Sequence, residues 1–194
     1  ERALDDVGVR RPPRFVMMAA IPLRERRLLF ARDVLPTRAP TAAPSDVEGL
    51  DVRAAVFRSM NLVDPITTAY HLYGHGLLAR ELGDVTRFAE SFVMAVMAYA
   101  TMHGTTKADV IARLRASLAP ATRTMPESVK TWVEACEATI DGVSGGASAM
   151  IDRLRAVEKR WLAEPERDAM KLAMVRMALL ESFRTAGRLA EGVE

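Results

Sequence analysis

Two histidines four residues apart, His71 and His75, are the strongest candidates for chemistry in this sequence. On a helix, that spacing lets two imidazoles bind one metal ion. No Glu follows His71 in a His-Glu-x-x-His pattern, and no cysteine or carboxylate is close in sequence. His103 is expected at the far end of the partner helix, ~15 Å or more from the pair at the usual rise per residue. We therefore predict no metal ligands and no cofactor. A metal or small-ligand sensor built on His71 and His75 is the alternative.

Two glycines, Gly74 and Gly76, flank His75 inside the same predicted helix. Each costs about 0.5–1 kcal/mol relative to alanine at a helical position. Close approach of a neighbouring helix is the favoured reason for them, and contact with a ligand is the rarer one. We predict a functional surface here. The residues predicted to contact a partner are Tyr70, His71, Tyr73, His75 and Arg80.

The other residue types that could carry catalysis have structural explanations. Cys136 shares an apolar helix face with Trp132, which predicts a buried structural thiol. The glycine-rich residues 142–148 follow a helix and lack a Gly-Lys-Ser/Thr ending, so they do not form a phosphate-binding loop. Glu134 and Glu137 lie on a charged outer face with no apolar setting for an acid–base couple. We predict no catalytic residue and expect that the segment itself is not an enzyme.

Residues 10–38 form a basic region, which contains eight arginines and only two acidic residues, Glu25 and Asp33. Such a region could contact phosphates, which makes a nucleic-acid binder the second alternative. However, its only aromatic residues are Phe15 and Phe30, and arginine outnumbers lysine throughout the chain. The favoured interpretation is a solvated helix face, or one that docks an acidic neighbouring domain, so we expect no nucleic-acid partner.

The composition is that of a globular protein. Of 194 residues, 49% are hydrophobic and 27% are charged, and the net charge is only +2. A single cysteine excludes an internal disulfide framework. The longest apolar run, residues 92–102, is shorter than the ~20 residues that span a bilayer, and nothing resembles a signal peptide. We expect a cytoplasmic protein with no membrane partner.

Helical periodicity, capping signals and helix-ending residues divide the chain into helices, and no stretch alternates with the period of a strand. Capping boxes are predicted at Ser45 and Thr124, capping carboxylates at Asp64 and Asp84, and a stop at Pro120. Methionines at helical spacing are predicted mainly in the core. The predicted helices cover residues 15–34, 45–61, 65–82, 85–103, 106–118, 126–141, 147–162 and 165–186.

Three glycine turns indicate a repeated helical hairpin. Leu82-Gly83-Asp84, Gly145-Gly146-Ala147 and Ala186-Gly187-Arg188 each follow an apolar helix and precede an amphipathic one. Helix pairs of ~34–47 residues are typical of helical solenoids, in which stacked neighbours share a core. We predict an all-α fold of stacked antiparallel helical hairpins, a tetratricopeptide-like α-solenoid with irregular repeat lengths. Its predicted divisions are an N-terminal helical segment at 1–34, a Pro-rich linker at 35–45 and the array at 46–194.

A family resemblance rests on residues 51–65, 69–84 and 87–95, with residues 145–158 and 179–193 similar to later hairpins. These segments resemble the tetratricopeptide-like helical-repeat region of large bacterial serine/threonine protein kinases that carry a predicted signal-transduction ATPase of the AAA/STAND type. In that family the repeats follow the kinase and ATPase modules. The residues at the two ends predict the same organisation: residues 1–8 are typical of the last turns of a helix, and residues 188–194 of the first turns of another. We therefore expect a segment of a longer helical array.

The resemblance also implies a function, although it carries over no catalytic residue because the kinase and ATPase signatures are absent here. It implies a regulatory, protein-interaction scaffold of a bacterial signalling protein. The expected partner is the parent's own kinase or ATPase module, or another signalling protein. We expect docking on the inner faces of the helices predicted at 65–82 and 126–141.

Overall fold

A computed structural model describes residues 12–31, 34–36, 43–61, 63–164 and 168–188, and within these ranges every regular element is helical. The predicted all-α class is therefore confirmed, whereas the solenoid arrangement stays a prediction. The helices are α1 Arg14–Leu29, α2 Pro44–Met60, α3 Pro65–Glu81, α4 Val85–His103, α5 Ala108–Thr122, α6 Glu127–Gly145, α7 Ala147–Ala163 and α8 Ala169–Thr185, with a 3₁₀ turn at Gly104–Lys107.

The chain forms two compact units. The first unit consists of Glu1–Ala95 with Ser117–Ala121, and the second consists of Val96–Ala116 with Thr122–Glu194. Both α1 and α2 pack against α3 within the first unit. Part of the predicted 35–45 linker and the ends of the chain lie outside the described residues, so the predicted divisions there stay predictions.

The first unit is built around α3, which is buried on most of its surface. Its buried residues include Leu72, Leu77 and Ala79 as well as several polar side chains. Leu28 of α1 and Phe57 of α2 are also fully buried. A helix with apolar or small side chains on every face typically lies in a protein core, with neighbouring helices on several sides.

The glycine at position 76 lets two neighbouring helices approach the α3 backbone. A Cβ placed there would lie 3.0 and 3.1 Å from the two methyl carbons of Leu28 and 3.2 Å from Cβ of Ser91. These contacts are tighter than a well-packed core allows without movement. The prediction that close helix approach explains a glycine inside this helix is confirmed at Gly76.

Two of the three glycine turns share one geometry. At Gly83, with φ +77°, Asp84 N–H donates to the Ala79 carbonyl at 2.9 Å. At Gly187, with φ +70°, Arg188 N–H donates to the Phe183 carbonyl at 2.8 Å. Both are Schellman-type helix ends, in which glycine adopts the left-handed conformation without a Cβ penalty.

The turn at Gly146 has a different geometry. The prediction that all three glycine turns are alike is therefore wrong for this turn. Gly146 has φ +104° and ψ 154°, and its N–H donates to the Gly142 carbonyl. The predicted end of the preceding helix at residue 141 is also wrong, because α6 continues to Gly145. Gly142 is a packing position: a Cβ there would lie 2.9 Å from Cβ of Met150 in α7.

The capping predictions succeed where a carboxylate precedes the helix. Asp64 accepts from the N–H groups of Ile66 and Thr67 at 3.2 and 3.3 Å, and Asp84 accepts from Arg87 N–H at 2.9 Å. These contacts satisfy donors that the first helical turn leaves without intrahelical partners. Asp64 and Asp84 therefore begin α3 and α4 as predicted.

Three predictions of helix ends are wrong: the capping boxes at Ser45 and Thr124, and the stop at Pro120. Helix α2 begins at Pro44, and Asp46 accepts from the Ala43 N–H at 3.1 Å. Helix α6 begins at Glu127 without a side-chain cap. Helix α5 continues through Pro120 to Thr122, because near a helix end the lost hydrogen bond affects only the final turn.

Two further helices, α1 and α8, have boundaries that differ from the predicted ones. Helix α1 ends at Leu29 instead of residue 34 and contains Pro22. The predicted start of the last helix at residue 165 lies outside the described residues. The helix described there begins at Ala169, where Asp168 accepts from the N–H groups of Met170 and Lys171 at 3.0 and 3.1 Å.

In the second unit α7 packs against both α6 and α8. Trp132 and Trp161 meet edge to face, with ring centroids 6.0 Å apart, and both rings are buried. Cys136 is buried on the same helix as Trp132, which confirms the predicted buried thiol. This buried aromatic pair joins α6 to α7.

The acidic residues of α6 form a row of ion pairs in the second unit. Arg115 of α5 binds Glu137 and binds Asp141 at 2.6 Å. Arg153 of α7 also binds Asp141, and Arg160 of α7 binds Glu134 at 2.5 Å. These carboxylates therefore hold neighbouring helices in place.

The methionines are divided between core and surface. Met17 and Met94 are buried, as predicted for core methionines. Met18, Met102 and Met177 are exposed, so the prediction is wrong for them. No helix in the described part of the chain combines the length and apolar character that a membrane span requires.

We expect Gly76→Ala to lower the free energy of unfolding by about 1–3 kcal/mol, because the added methyl group overpacks against Leu28 and Ser91. Gly49→Ala is the matched control: Gly49 lies inside α2, and no atom lies within 4 Å of the position that its Cβ would occupy. That variant should gain about 0.5–1 kcal/mol from reduced backbone entropy in the unfolded chain. Urea unfolding measures both changes, and equal effects would contradict the close-approach explanation.

Candidate functional site

The five residues predicted to contact a partner lie on α3, but the structure does not place them on one accessible surface. His71, Tyr73 and His75 have exposed fractions of 0%, 2% and 2%. Tyr70 and Arg80 are half-buried. A partner could reach the three buried side chains only if the helices around α3 moved apart, so their role as contacts stays a prediction.

His75 is held as a neutral ring inside the first unit. Its Nδ1 hydrogen-bonds Ser91 Oγ, and its ring meets Phe57 edge to face at 5.5 Å. Burial, followed by the positive charges of Arg58 and Arg87, lowers the pKa of His75 to about 3. Ser91 Oγ donates to the Arg87 carbonyl at 3.0 Å. We therefore assign the proton to His75 Nδ1, which donates to Ser91 Oγ.

The His75–Ser91 pair has the residue types of a nucleophile and its base, but its geometry serves packing. The hydroxyl proton of Ser91 is directed to a backbone carbonyl rather than to the imidazole. Both side chains are buried, with Ser91 at 0% exposure. A reacting nucleophile needs a base that accepts its proton and a place for substrate beside it. This pair instead satisfies polar atoms at the α3–α4 contact.

The histidine pair is not completed into a metal site by the residues that the structure describes. Within those residues no group of three or more His, Cys, Asp or Glu side chains is placed to hold a metal ion. His71 packs its ring edge to face against Tyr70, with centroids 5.3 Å apart. A metal held by His71 and His75 would need further ligands from elsewhere.

Tyr73 and Arg80 attach α1 to α3. Tyr73 O–H donates to Glu25 Oε2 at 2.9 Å, and burial, followed by the charge of Glu25, raises the pKa of Tyr73. Arg80 Nη1 donates to the Arg27 carbonyl at 3.0 Å. That carbonyl belongs to the last turn of α1, where a cation compensates carbonyls without intrahelical partners. Both side chains therefore have structural partners within the unit.

A cluster of two arginines at Gly74 was not found from the sequence. Arg24 Nη1 donates to the Tyr70 carbonyl at 2.9 Å, and Arg24 Nη2 donates to the Tyr70 hydroxyl at 2.9 Å. Its guanidinium carbon lies 3.8 Å from the centroid of the Tyr70 ring. Arg53 of α2 reaches the same place, since its Nη1 is 3.2 Å from the Cβ position at Gly74. The presence of Gly74 was the only sequence signal for this cluster.

Helix α1 carries an apolar face that the described part of the unit does not cover. We call it the α1 outer face and define it by Phe15, Met18, Leu23 and Arg26, together with Phe30, which directly follows the helix. All five side chains are exposed. Phe15 and Leu23 have exposed fractions of 73% and 67%. The only acidic residue of α1 is the Glu25 that accepts from Tyr73. The α1 outer face is therefore apolar with a positive charge and no negative one.

No protein-family model matches this chain, and no curated protein or solved structure is significantly similar to it. The resemblance to the repeat region of bacterial kinases consequently stays a prediction. The function is therefore inferred from the geometry of the two units.

The neutral state of His75 predicts a pH-dependent stability. Because the folded-state pKa lies below the unfolded value of about 6.5, the unfolded chain binds a proton first as the pH falls. The contribution of neutral His75 is complete above pH ~6.5 and is lost as the pH falls toward 3. Within that window this residue alone should give a slope of up to about 1.4 kcal/mol per pH unit.

We expect His75→Gln to remove this slope from the free energy of unfolding measured in urea between pH 7 and pH 4. His103→Gln is the control, since it removes an exposed histidine and leaves His75 intact. The steep slope should persist in that control. The same slope in His75→Gln and the parent chain would contradict a buried neutral His75.

Proposed function

We propose that this chain is a non-catalytic regulatory scaffold within a cytoplasmic bacterial signalling protein of the kinase–ATPase type. It would act by docking a partner polypeptide on the α1 outer face. The single observation that supports this proposal most is the exposure of Phe15, Met18 and Leu23 on α1 and of Phe30 at its C-terminal end. Contiguous exposed apolar surface is typical of interaction sites.

The docking surface proposed here differs from the one expected from sequence. The helices that correspond to predicted residues 65–82 and 126–141 are α3 and α6, and about half of the described residues of each are buried within its own unit. Their inner faces are occupied by neighbouring helices and ion pairs. In the first unit the exposed large apolar side chains lie mainly on α1. The proposed docking surface is therefore on α1 and not on α3.

The chemistry of the α1 outer face indicates the kind of partner. Large apolar side chains in a helical stripe fit the apolar face of another helix. Arg26 lies among them, and no carboxylate of α1 faces outward to repel an acidic partner. Charge complementarity guides orientation and association more than it adds affinity. We infer that the partner segment is an amphipathic helix with acidic residues beside its apolar stripe.

The nucleic-acid alternative has less support from the described arginines of residues 10–38. Arg14 pairs with Asp64 at 3.5 Å, Arg24 donates to Tyr70, and Arg27 pairs with Glu81 at 3.6 Å. Phosphate binding by such a region requires several arginines available to the same backbone. Arg26 alone among these four arginines has no protein partner in the described structure.

The test is direct binding between this chain and the kinase and ATPase modules encoded in the same reading frame, each expressed separately. We expect one module to bind, and Leu23→Asp to weaken binding by about tenfold or more, because a central apolar anchor becomes charged. Arg26→Glu should weaken binding mainly at low salt, where exposed charges are least screened. Isothermal titration calorimetry at two salt concentrations measures both effects.

Leu162→Asp is the matched control, since Leu162 is a half-exposed apolar residue on α7 in the second unit. It should leave the affinity unchanged. A reading frame with no kinase or ATPase module, or binding that Leu23→Asp and Leu162→Asp weaken equally, would overturn the proposal.

A further inference from the structure

We propose that Arg24, Arg53 and Tyr70 form a binding site for a phosphate group, placed over Gly74 where α1, α2 and α3 meet. This inference is independent of the docking surface on α1. The ligand class is a small phosphate dianion, either inorganic phosphate or the phosphate of a small monoester.

The two guanidinium groups converge on one point of the α3 backbone. The Cβ position at Gly74 lies 2.7 Å from Arg24 Nη1 and 3.2 Å from Arg53 Nη1. A side chain at position 74 would occupy the space that these groups use. The glycine therefore leaves room for two positive charges to face each other beside the helix.

The positive charge of Arg53 has no compensating carboxylate in the described structure. Its Nε is buried and has no hydrogen-bond partner among the residues that the structure describes. Burial, followed by the charge of Arg24, lowers the pKa of Arg53. Two other half-buried arginines of this unit are paired with carboxylates: Arg58 with Glu90 at 3.1 Å, and Arg87 with Asp51 at 2.8 Å. A buried charge beside a like charge is unfavourable unless an anion compensates it.

The donors around this point suit a tetrahedral dianion. Tyr70 fixes Arg24 by two hydrogen bonds and by contact with its ring, so that guanidinium is held in place. The Tyr70 hydroxyl accepts from Arg24, which leaves its own proton for a ligand oxygen. Arg53 contributes a planar fork of N–H donors, the geometry that recognises phosphate.

A phosphate fits better than a carboxylate because of charge and shape. One carboxylate compensates one guanidinium, whereas a phosphate near pH 7 approaches two negative charges and offers three or more oxygen acceptors. Arg24, Arg53, Tyr70 and Gly74 are all half-buried rather than sealed, so a small ion can enter from solvent. A bound phosphate would link α1 to α2 across α3 and stabilise the first unit.

The experiment compares the melting temperature of the full chain in chloride with that in inorganic phosphate at equal ionic strength. Glycerol 3-phosphate is a third arm, which distinguishes a monoester from the free ion. We expect phosphate to raise the melting temperature of the parent chain by several degrees at millimolar concentration, because a ligand that binds only the folded state stabilises it. Binding of the monoester at similar concentration would identify a phosphorylated small molecule as the ligand.

Arg53→Gln should abolish the phosphate-dependent rise. In chloride the same variant should melt no lower than the parent chain, because it removes a buried charge next to another positive charge. Gly74→Ala should also reduce the phosphate effect, since the new methyl group displaces Arg24. Arg113→Gln is the charge-matched control, because Arg113 is exposed on α5 in the second unit. It should keep the full response.

Two results would overturn the proposal. One is a parent chain whose melting temperature in phosphate equals that in chloride. The other is a phosphate response in Arg53→Gln as large as in Arg113→Gln, which would indicate a general salt effect. Nuclear magnetic resonance shifts of Gly74 and Tyr70 amides on phosphate addition provide a second, local measurement.

Discussion

The burial of α3 is the constraint on which the first unit depends. A helix with neighbours on most sides cannot turn its polar side chains toward water, so each of them needs a partner from an adjacent helix. Tyr73 meets Glu25, and His75 meets Ser91. Gly76 allows the approach of Leu28 and Ser91 that keeps these distances short. The polar contacts and the close packing are therefore two results of the same crowding.

Local signals in the sequence were enough to predict the presence of the helices, but they were insufficient for the candidate site. Asp64, Asp84 and Gly83 act within one helical turn, so their roles could be predicted from short windows. The capping box at Ser45 failed because Pro44 and Asp46 provide a competing start one residue earlier. Short-range patterns thus determined the presence of helices better than the residue at which each one begins.

The environment of the α3 side chains could not be predicted in the same way. Whether His75 faces water depends on helices separated from it in sequence, and Arg24 meets Tyr70 across 46 positions of the chain. The abundance of small and apolar residues on every side of α3 was the available signal for its burial. When that signal was not taken into account, the tyrosines and histidines of α3 suggested a surface that contacts a partner. The structure instead shows three of those side chains, Tyr70, Tyr73 and His75, hydrogen-bonded to neighbouring helices.

The position of the aromatic pair between α6 and α7 has an experimental consequence. Trp132 and Trp161 are the only two tryptophans of the chain, and both belong to the second unit. Intrinsic tryptophan emission therefore follows the unfolding of that unit alone, whereas far-ultraviolet circular dichroism follows helices of both. Coincidence of the two signals during denaturation would indicate one cooperative transition, and separation would give each half its own stability.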